Sequence, residues 1–127
     1  MFKHSKAFGS FSTDDIPKAK KFYKEILELE VKDTPMGIIE LDIQGENKII
    51  IYPKPNHVPA TFTVLNFPVK NIDEAVDQLM QKGITFEQYD GEIKTDERGI
   101  CHGGDRGPDI AWFKDPAGNI LSVLEEK

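Results

Sequence analysis

The sequence has a single cysteine, Cys101, so it cannot form a disulfide bond within the chain. Small extracellular domains commonly depend on several disulfides, and one lone thiol therefore favours a reducing compartment. No apolar run approaches the ~18 residues that a membrane-spanning helix requires. Residues 1–6 do not resemble the start of a signal peptide. We therefore expect a soluble, cytoplasmic protein.

Basic side chains are also scarce. The 16 Lys and Arg residues are outnumbered by 22 Asp and Glu residues, which gives a net charge of −6 at pH 7. Proteins that bind nucleic acids or anionic membranes need a basic surface, so this balance argues against both kinds of partner. The length of 127 residues suits one domain. We therefore expect a single folded domain, and the acidic balance mildly favours a cationic or neutral partner.

Several catalytic signatures are missing as well. The chain has no G-x-S-x-G elbow, P-loop, dinucleotide-binding fingerprint or C-x-x-C pair. Its three histidines, His4, His57 and His102, share no short spacing typical of metal ligands. Cys101 and His102 are adjacent, but neighbouring residues on a strand point to opposite faces, which disfavours a nucleophilic pair. The sequence therefore predicts neither a cofactor nor a metal site.

Two amphipathic helices are present in the hydrophobic pattern. The first starts after Asp15, an acidic cap followed by Pro17 in the first turn, and its apolar residues recur at steps of three and four up to Leu27. The second follows Asn71 and ends at Gly83, which suits the position after a helix terminus. Each helix therefore has one apolar face that must pack against a sheet.

Short strands surround these helices. They are predicted at residues 7–13, 29–34, 38–43, 48–52, 61–67, 84–88, 109–114 and 120–124. Turns are predicted at 44–47 and at 115–118, and a long glycine-containing loop at 89–108.

The resulting element order is βαβββ, a proline-rich connector at 53–59, and βαβββ again. One constant shift along the chain superposes Ile16 on Ile72 and Phe11 on Phe67. This order predicts an α+β fold with module one at 1–55 and module two at 60–127, both within one domain spanning 1–127.

Two motifs resemble those of a known protein family. Residues 14–23 contain an acidic cap followed by an Ala and a Phe-Tyr pair, and they resemble the first helix of the vicinal oxygen chelate superfamily. Residues 115–120, Asp-Pro-Ala-Gly-Asn-Ile, resemble the final hairpin of the same superfamily. This superfamily comprises glyoxalases, bleomycin-resistance proteins and extradiol dioxygenases. The resemblance implies two βαβββ modules whose mixed sheets curve around a shared cleft, and commonly a homodimer.

The resemblance also locates the family's metal ligands. The corresponding positions here are Phe8, Val64, Ser122 and the stretch 50–52. Phe, Val and Ile have no donor atoms for a divalent cation. The sequence therefore departs from the family's metal site.

A cleft with a mixed lining is still expected. Strand parity and loop position assign to it Phe8, Ser10, Tyr52, Phe62, Val64, Asn66, Tyr89, Trp112 and Ser122. Aromatic walls with a few polar groups are typical of small-molecule pockets, although the same aromatic residues could fill the core. Glu40 and Asp42 are the nearest candidates for an acid or base.

Three functional hypotheses follow. The first is a metal-free, bleomycin-resistance-like protein that binds and sequesters a small molecule. The alternative is a metal-dependent or metal-free lyase, isomerase or dioxygenase of the same superfamily, whose catalytic residues the sequence does not identify. The third is a subunit or regulatory partner without a ligand. Ligand-dependent stabilisation without turnover distinguishes the first hypothesis from the second.

Overall fold

A computed structural model describes residues 1–44 and 48–126. The chain divides into two compact units, Met1–Pro59 and Ala60–Lys127. Each unit contains one helix and one four-stranded mixed sheet, which confirms the predicted α+β fold with two βαβββ modules. None of the described helices is long and apolar enough to cross a membrane. The turn predicted at 44–47 falls mostly at 45–47, outside the described residues.

The first unit has its strands in the order β1-β4-β3-β2. Strand β1 is parallel to β4, and the other neighbours are antiparallel. The elements are β1 Gly9–Thr13, α1 Ile16–Lys21 with a π-helical continuation Phe22–Ile26, β2 Glu30–Asp33, a 3₁₀ turn Pro35–Gly37, β3 Ile39–Asp42 and β4 Ile49–Pro53.

The second unit repeats this arrangement with the strand order β5-β8-β7-β6. Strand β5 is parallel to β8, and the remaining pairs are antiparallel. The elements are β5 Thr63–Pro68, α2 Ile72–Gln81, β6 Ile100–Cys101, a 3₁₀ turn Gly104–Arg106, β7 Asp109–Lys114 and β8 Ile120–Glu125.

The two helices begin directly after Asp15 and Asn71, as the sequence predicts. The N–H of Lys18 donates to the Asp15 carboxylate at 3.0 Å, and the N–H of Glu74 donates to the Asn71 side chain at 3.1 Å. These bonds satisfy donors that the first helical turn leaves without a partner. In the first unit, the ring of fully buried Tyr23 lies 6.2 Å from that of Phe11, which joins helix to sheet.

The final hairpin turn is also confirmed. The N–H of Gly118 donates to the carbonyl of Asp115 at 3.0 Å, as a type I turn requires. One oxygen of the Asp115 carboxylate accepts from the N–H groups of Ala117 and Asn119, and the other accepts from the buried Asn119 amide at 3.0 Å. This turn fixes the register of β7 against β8, from Asp109 opposite Glu125 to Lys114 opposite Ile120.

The predicted strand at 84–88 is wrong. That segment is irregular, and the edge of the second sheet is instead β6, which lies inside the predicted loop. Phe86 is buried and packs edge to face on Phe113, with ring centroids 5.6 Å apart, so its apolar character reflects core packing rather than a strand. Ile100 takes the place beside β7, opposite Ala111, after a turn at Gly99 that has a φ of +84°.

Candidate functional site

A pocket of about 610 Å³ lies in the second unit. Pockets of ~300–1,000 Å³ are large enough for drug-sized molecules. The lining combines residues of three strands with a loop and consists of Thr61, Phe62, Thr63, Tyr89, Asp90, Gly91, Glu92, Ile93, Trp112 and Ile120. Three of the residues assigned to a cleft from the sequence, Phe62, Tyr89 and Trp112, are therefore brought together here.

The sheet supplies the floor of this pocket. Trp112 on β7 lies between Ala111 and Phe113, which are both fully buried. Since successive side chains on a strand alternate between faces, the indole lies on the opposite face from this core. Thr63 on β5 and Ile120 on β8 are direct neighbours across the parallel ladder and complete the floor.

Aromatic and apolar side chains of the lining remain open to solvent. The ring of Tyr89 meets that of Trp112 edge to face, with centroids 5.5 Å apart. Phe62 is 68% exposed and Ile93 is 53% exposed. Exposed aromatic groups gathered around a concave surface are typical of a binding site.

A closed loop forms one wall. The N–H of Thr95 donates to the carbonyl of Tyr89 at 3.0 Å, and the N–H of Tyr89 donates to the Thr95 hydroxyl at 2.8 Å. Thr95 is buried, so these bonds hold the two ends of the loop together. Residues 90–94 form the tip between them, which we call the tip loop. Its residues Asp90, Gly91, Glu92 and Ile93 contribute to the lining.

A register shift in β5 decides which of its residues enter the pocket. Thr63 pairs with Ile120 and Leu65 pairs with Leu121, so Val64 is an extra residue in the ladder. Such a bulge reverses the alternation on one side of it. Thr63 therefore lines the pocket, whereas Val64 is not part of the lining.

Asn66 and Ser122 lie next to each other on β5 and β8 but outside the lining. The Ser122 hydroxyl donates to the Asn66 side-chain oxygen at 2.6 Å, and Ser122 is fully buried. Trp112 is the partner of Ser122 on β7, so the three side chains form a row across three strands.

The other assigned residues belong to the first unit and are absent from the lining. Phe8 is 54% exposed, and the Lys48 ammonium lies 4.8 Å from the centre of its ring. Ser10 is exposed on β1, opposite Ile50. Tyr52 is partly exposed on β4.

Three of the positions that the family resemblance assigns to metal ligands are Phe8, Val64 and Ser122. Phe8 and Val64 have no donor atoms, and the Ser122 hydroxyl is bonded to Asn66. Within residues 1–44 and 48–126, no group of three or more His, Cys, Asp or Glu side chains could hold a metal ion.

The two acid or base candidates are engaged in ion pairs. Glu40 lies 3.8 Å from the Lys48 ammonium, and Asp42 lies 3.2 Å from that of Lys32. Both are on β3 of the first unit, and neither lines the pocket.

His102 forms a cluster with two aspartates beside β6, which the sequence did not indicate. His102 Nε2 is 2.8 Å from Asp96, and Nδ1 is 3.6 Å from Asp109. The hydrogen bond with Asp96 and the negative charge of Asp109 raise the pKa of His102 above its ordinary value of 6.5. Burial acts to raise the pKa of Asp96, but hydrogen bonds from Ile100, His102 and Arg98 outweigh it and lower that pKa below 3.8.

Comparison with known proteins agrees with this architecture. Residues 8–123 match the family model of the Glyoxalase/Bleomycin resistance protein/Dioxygenase superfamily. The chain therefore belongs to this superfamily. No curated protein matches the sequence.

Several solved structures share the fold. An integron cassette protein from the mobile metagenome of the Halifax Harbour sewage outfall has a TM-score of 0.69 at 18% identity, covering 93% of this chain and 96% of that one. TnmS3, an antibiotic binding protein from Streptomyces sp. CB03234, has a TM-score of 0.67 at 22% identity, covering 95% and 96%. A lactoylglutathione lyase from Agrobacterium tumefaciens has a TM-score of 0.65 at 18% identity, covering 97% and 95%.

Proposed function

We propose that the protein binds a small molecule in the pocket of the second unit and holds it without chemical change. The observation that carries this proposal is the exposed aromatic lining, in which Tyr89 and Trp112 meet edge to face beside Phe62. Burying such rings against a ligand removes apolar surface from water, which stabilises the complex by about 25 cal/mol per Å² of apolar surface buried.

The chemistry of the lining favours binding over catalysis. The titratable groups among its residues are one phenol, on Tyr89, and two carboxylates, on Asp90 and Glu92. The lining contains no imidazole, thiol or amine. The lining hydroxyls therefore have no imidazole or amine beside them, which is the pairing that activates a hydroxyl in Ser–His type catalysis.

The family relationship is consistent with this role. TnmS3 is an antibiotic binding protein of the same fold. The alternative is an enzyme of the superfamily, since a lactoylglutathione lyase also shares the fold. The poor fit of Phe8, Val64 and Ser122 to a metal ion favours the binding protein.

The proposal includes a homodimer in the cytoplasm. The single cysteine supports a reducing compartment, and the family resemblance supports the dimer. Light scattering measures the molar mass in solution and tests the dimer. We expect twice the mass of one chain.

The test uses the single tryptophan of the chain as its probe. A panel of two- and three-ring aromatic compounds, each at several concentrations, is titrated while the fluorescence of Trp112 is recorded. We expect saturable fluorescence changes and a higher melting temperature, because a ligand at 100 times its Kd stabilises the native state by about 2.7 kcal/mol. Mass spectrometry should recover the bound compound unchanged.

Two results would contradict the proposal. Failure of every compound to give a saturable change would exclude an aromatic ligand at this site. Conversion of a bound compound, dependent on an added divalent cation, would place the protein among the enzymes of its family. Phe2→Ala is the matched control for replacement of an aromatic residue of the pocket, since Phe2 is an exposed aromatic residue outside the pocket. Its loss should leave binding unchanged.

A further inference from the structure

We propose that Ser12 and His57 form a pair of nucleophile and base that cleaves small aryl esters by acyl transfer to Ser12. The Ser12 oxygen lies 2.6 Å from Nδ1 of the His57 imidazole, although 45 positions separate the two residues along the chain. Both belong to the first unit, and neither lines the pocket of the second unit. The pair is therefore a reactive site in addition to the binding pocket.

The length of this hydrogen bond indicates which group donates. A bond from an N–H group to oxygen is about 2.7–3.2 Å long, whereas a bond from an O–H group can shorten to about 2.5 Å. At 2.6 Å, we therefore assign the Ser12 O–H as the donor and Nδ1 as the acceptor. The imidazole then carries its proton on Nε2 and presents the lone pair of Nδ1 to the hydroxyl, as a general base must.

Strand β1 places the Ser12 hydroxyl on the face opposite the core. Its neighbours Phe11 and Thr13 are both buried, and successive side chains alternate between faces. Ser12 is only partly buried, so a small molecule in solution can reach the hydroxyl. Its register partner on β4 is Tyr52, which is 36% exposed. The phenol ring on this face offers apolar surface to the aryl group of an ester.

A turn of the proline-rich connector brings the imidazole to the strand. The N–H of Lys54 donates to the carbonyl of Thr13 at 2.9 Å, which ties the start of the connector to the end of β1. The N–H of His57 donates to the carbonyl of Lys54 at 2.9 Å and closes a tight turn over residues 54–57. These backbone bonds position the base beside the nucleophile before a substrate arrives, which lowers the entropic part of the barrier.

The reaction has two steps. In the first, the Ser12 oxygen attacks the ester carbonyl carbon while Nδ1 of His57 accepts the hydroxyl proton. The new C–O bond forms, the bond to the aryloxide breaks, and the leaving oxygen takes the proton from the imidazole. In the second, a water molecule attacks the acyl group and gives a proton to Nδ1. The carboxylic acid leaves, and the Ser12 oxygen recovers that proton.

Two probes measure this chemistry on the full chain. p-Nitrophenyl acetate reports ester cleavage through the release of p-nitrophenolate, and a fluorophosphonate labels an activated serine irreversibly as fluoride leaves. We expect peptide mapping to find the phosphonyl group on Ser12. Ser12→Ala should abolish this labelling. His57→Gln should slow both reactions about 100-fold, since a positioned base contributes about 10²–10⁴-fold.

The matched controls are Ser5→Ala and His4→Gln. Both residues are exposed and precede β1, so their replacement removes the same chemical groups outside the pair. Each control should leave both rates unchanged. Urea denaturation shows that every variant is folded before its rate is compared.

A thiol in place of the hydroxyl gives a second measurement of the base. In the variant Ser12→Cys, iodoacetamide reacts with the thiolate, which an adjacent imidazole stabilises. We expect the reaction to be about tenfold faster than in the double variant Ser12→Cys with His57→Gln. Cys101, the single cysteine of the unchanged chain, is the internal reference, and its rate should be the same in both variants.

The possible outcomes are distinct. Absence of the phosphonyl group on Ser12, or equal rates for the unchanged protein and the folded His57→Gln variant, would overturn the proposal and leave the hydrogen bond with a structural role in the connector. Labelling of Ser12 without faster release of p-nitrophenolate than in Ser12→Ala would overturn ester cleavage. Ligand binding in the second unit is measured separately, through the fluorescence of Trp112, and none of these results alters it.

Discussion

The rings of Tyr89 and Trp112 meet edge to face, with centroids 5.5 Å apart and planes inclined by 71°. Tyr89 belongs to the closed loop and Trp112 to the sheet, so this contact joins the wall of the pocket to its floor. Both rings keep exposed surface, since Tyr89 is 37% exposed and Trp112 is partly buried. The contact therefore shapes the site and leaves aromatic surface for a ligand.

Replacing Tyr89 tests the role of this contact. Tyr89→Ala should weaken binding of an aromatic ligand about tenfold, because the phenol ring would no longer bury apolar surface against the ligand, a contact that contributes ~1–2 kcal/mol. Tyr89→Phe keeps the ring and should bind as the unchanged protein does. Trp112 fluorescence titration measures both affinities. Equal affinities for the alanine and phenylalanine variants would show that the ring at this position does not contribute to the site.

The hydroxyl of Thr95 is expected to hold the closed loop. Thr95→Val removes the acceptor of the Tyr89 N–H and should lower the free energy of unfolding by about 1–3 kcal/mol. Thr95→Ser keeps the hydroxyl and should cost less. Urea denaturation measures the stability, and amide hydrogen exchange should become faster at Tyr89 in the valine variant. Unchanged exchange there would mean that the backbone bond between the two residues closes the loop without the hydroxyl.

Local signals were sufficient to predict most of the fold. The caps at Asp15 and Asn71 and the Asp115 turn each depend on a few consecutive residues, and the structure forms all three. The edge strand was missed because its signal is not local. Phe86 is apolar in either a strand or a packed loop, whereas Ile100 becomes a strand residue only through its pairing with Ala111.

The candidate site could be predicted only in part, because some of its residues are placed by contacts between segments distant in the sequence. Aromatic residue type and strand position indicated Phe62, Tyr89 and Trp112, which line the pocket. The bulge between Thr63 and Leu65 interrupts the alternation that was used to place Phe62 and Asn66 on the same face as Val64. The acidic tip loop was missed, because its place beside Trp112 follows from the closure of a loop that residue spacing does not reveal.

Asp115 is expected to contribute more to stability than an ordinary surface residue. Its carboxylate accepts from two backbone N–H groups and from the Asn119 amide, and the side chain is buried. Asp115→Ala leaves these donors unsatisfied and should lower the free energy of unfolding by about 2–4 kcal/mol. Asp115→Asn keeps one acceptor oxygen and should cost less. Urea denaturation of both variants checks the order, and similar losses would indicate that the negative charge matters more than the hydrogen bonds.

His102 makes the stability of the second unit depend on pH. Its pKa is raised in the folded protein, so its stabilising contribution is complete below its ordinary pKa of 6.5 and is lost as the pH rises through the higher folded value. The carboxylates that face the imidazole are Asp96, in the segment before β6, and Asp109, at the start of β7. The side chain is 57% exposed, so solvent screening keeps the contribution within about 1 kcal/mol.

An NMR titration of the His102 ring measures its pKa directly. Asp96→Asn removes the charged partner and should return this pKa towards 6.5, while Asp105→Asn, a change at an exposed aspartate outside the cluster, should not alter it. His102→Gln should remove the corresponding part of the pH dependence in urea denaturation. A pKa that stays raised in the Asp96 variant would assign the effect to Asp109 alone, whose nearest oxygen lies 3.6 Å from the ring.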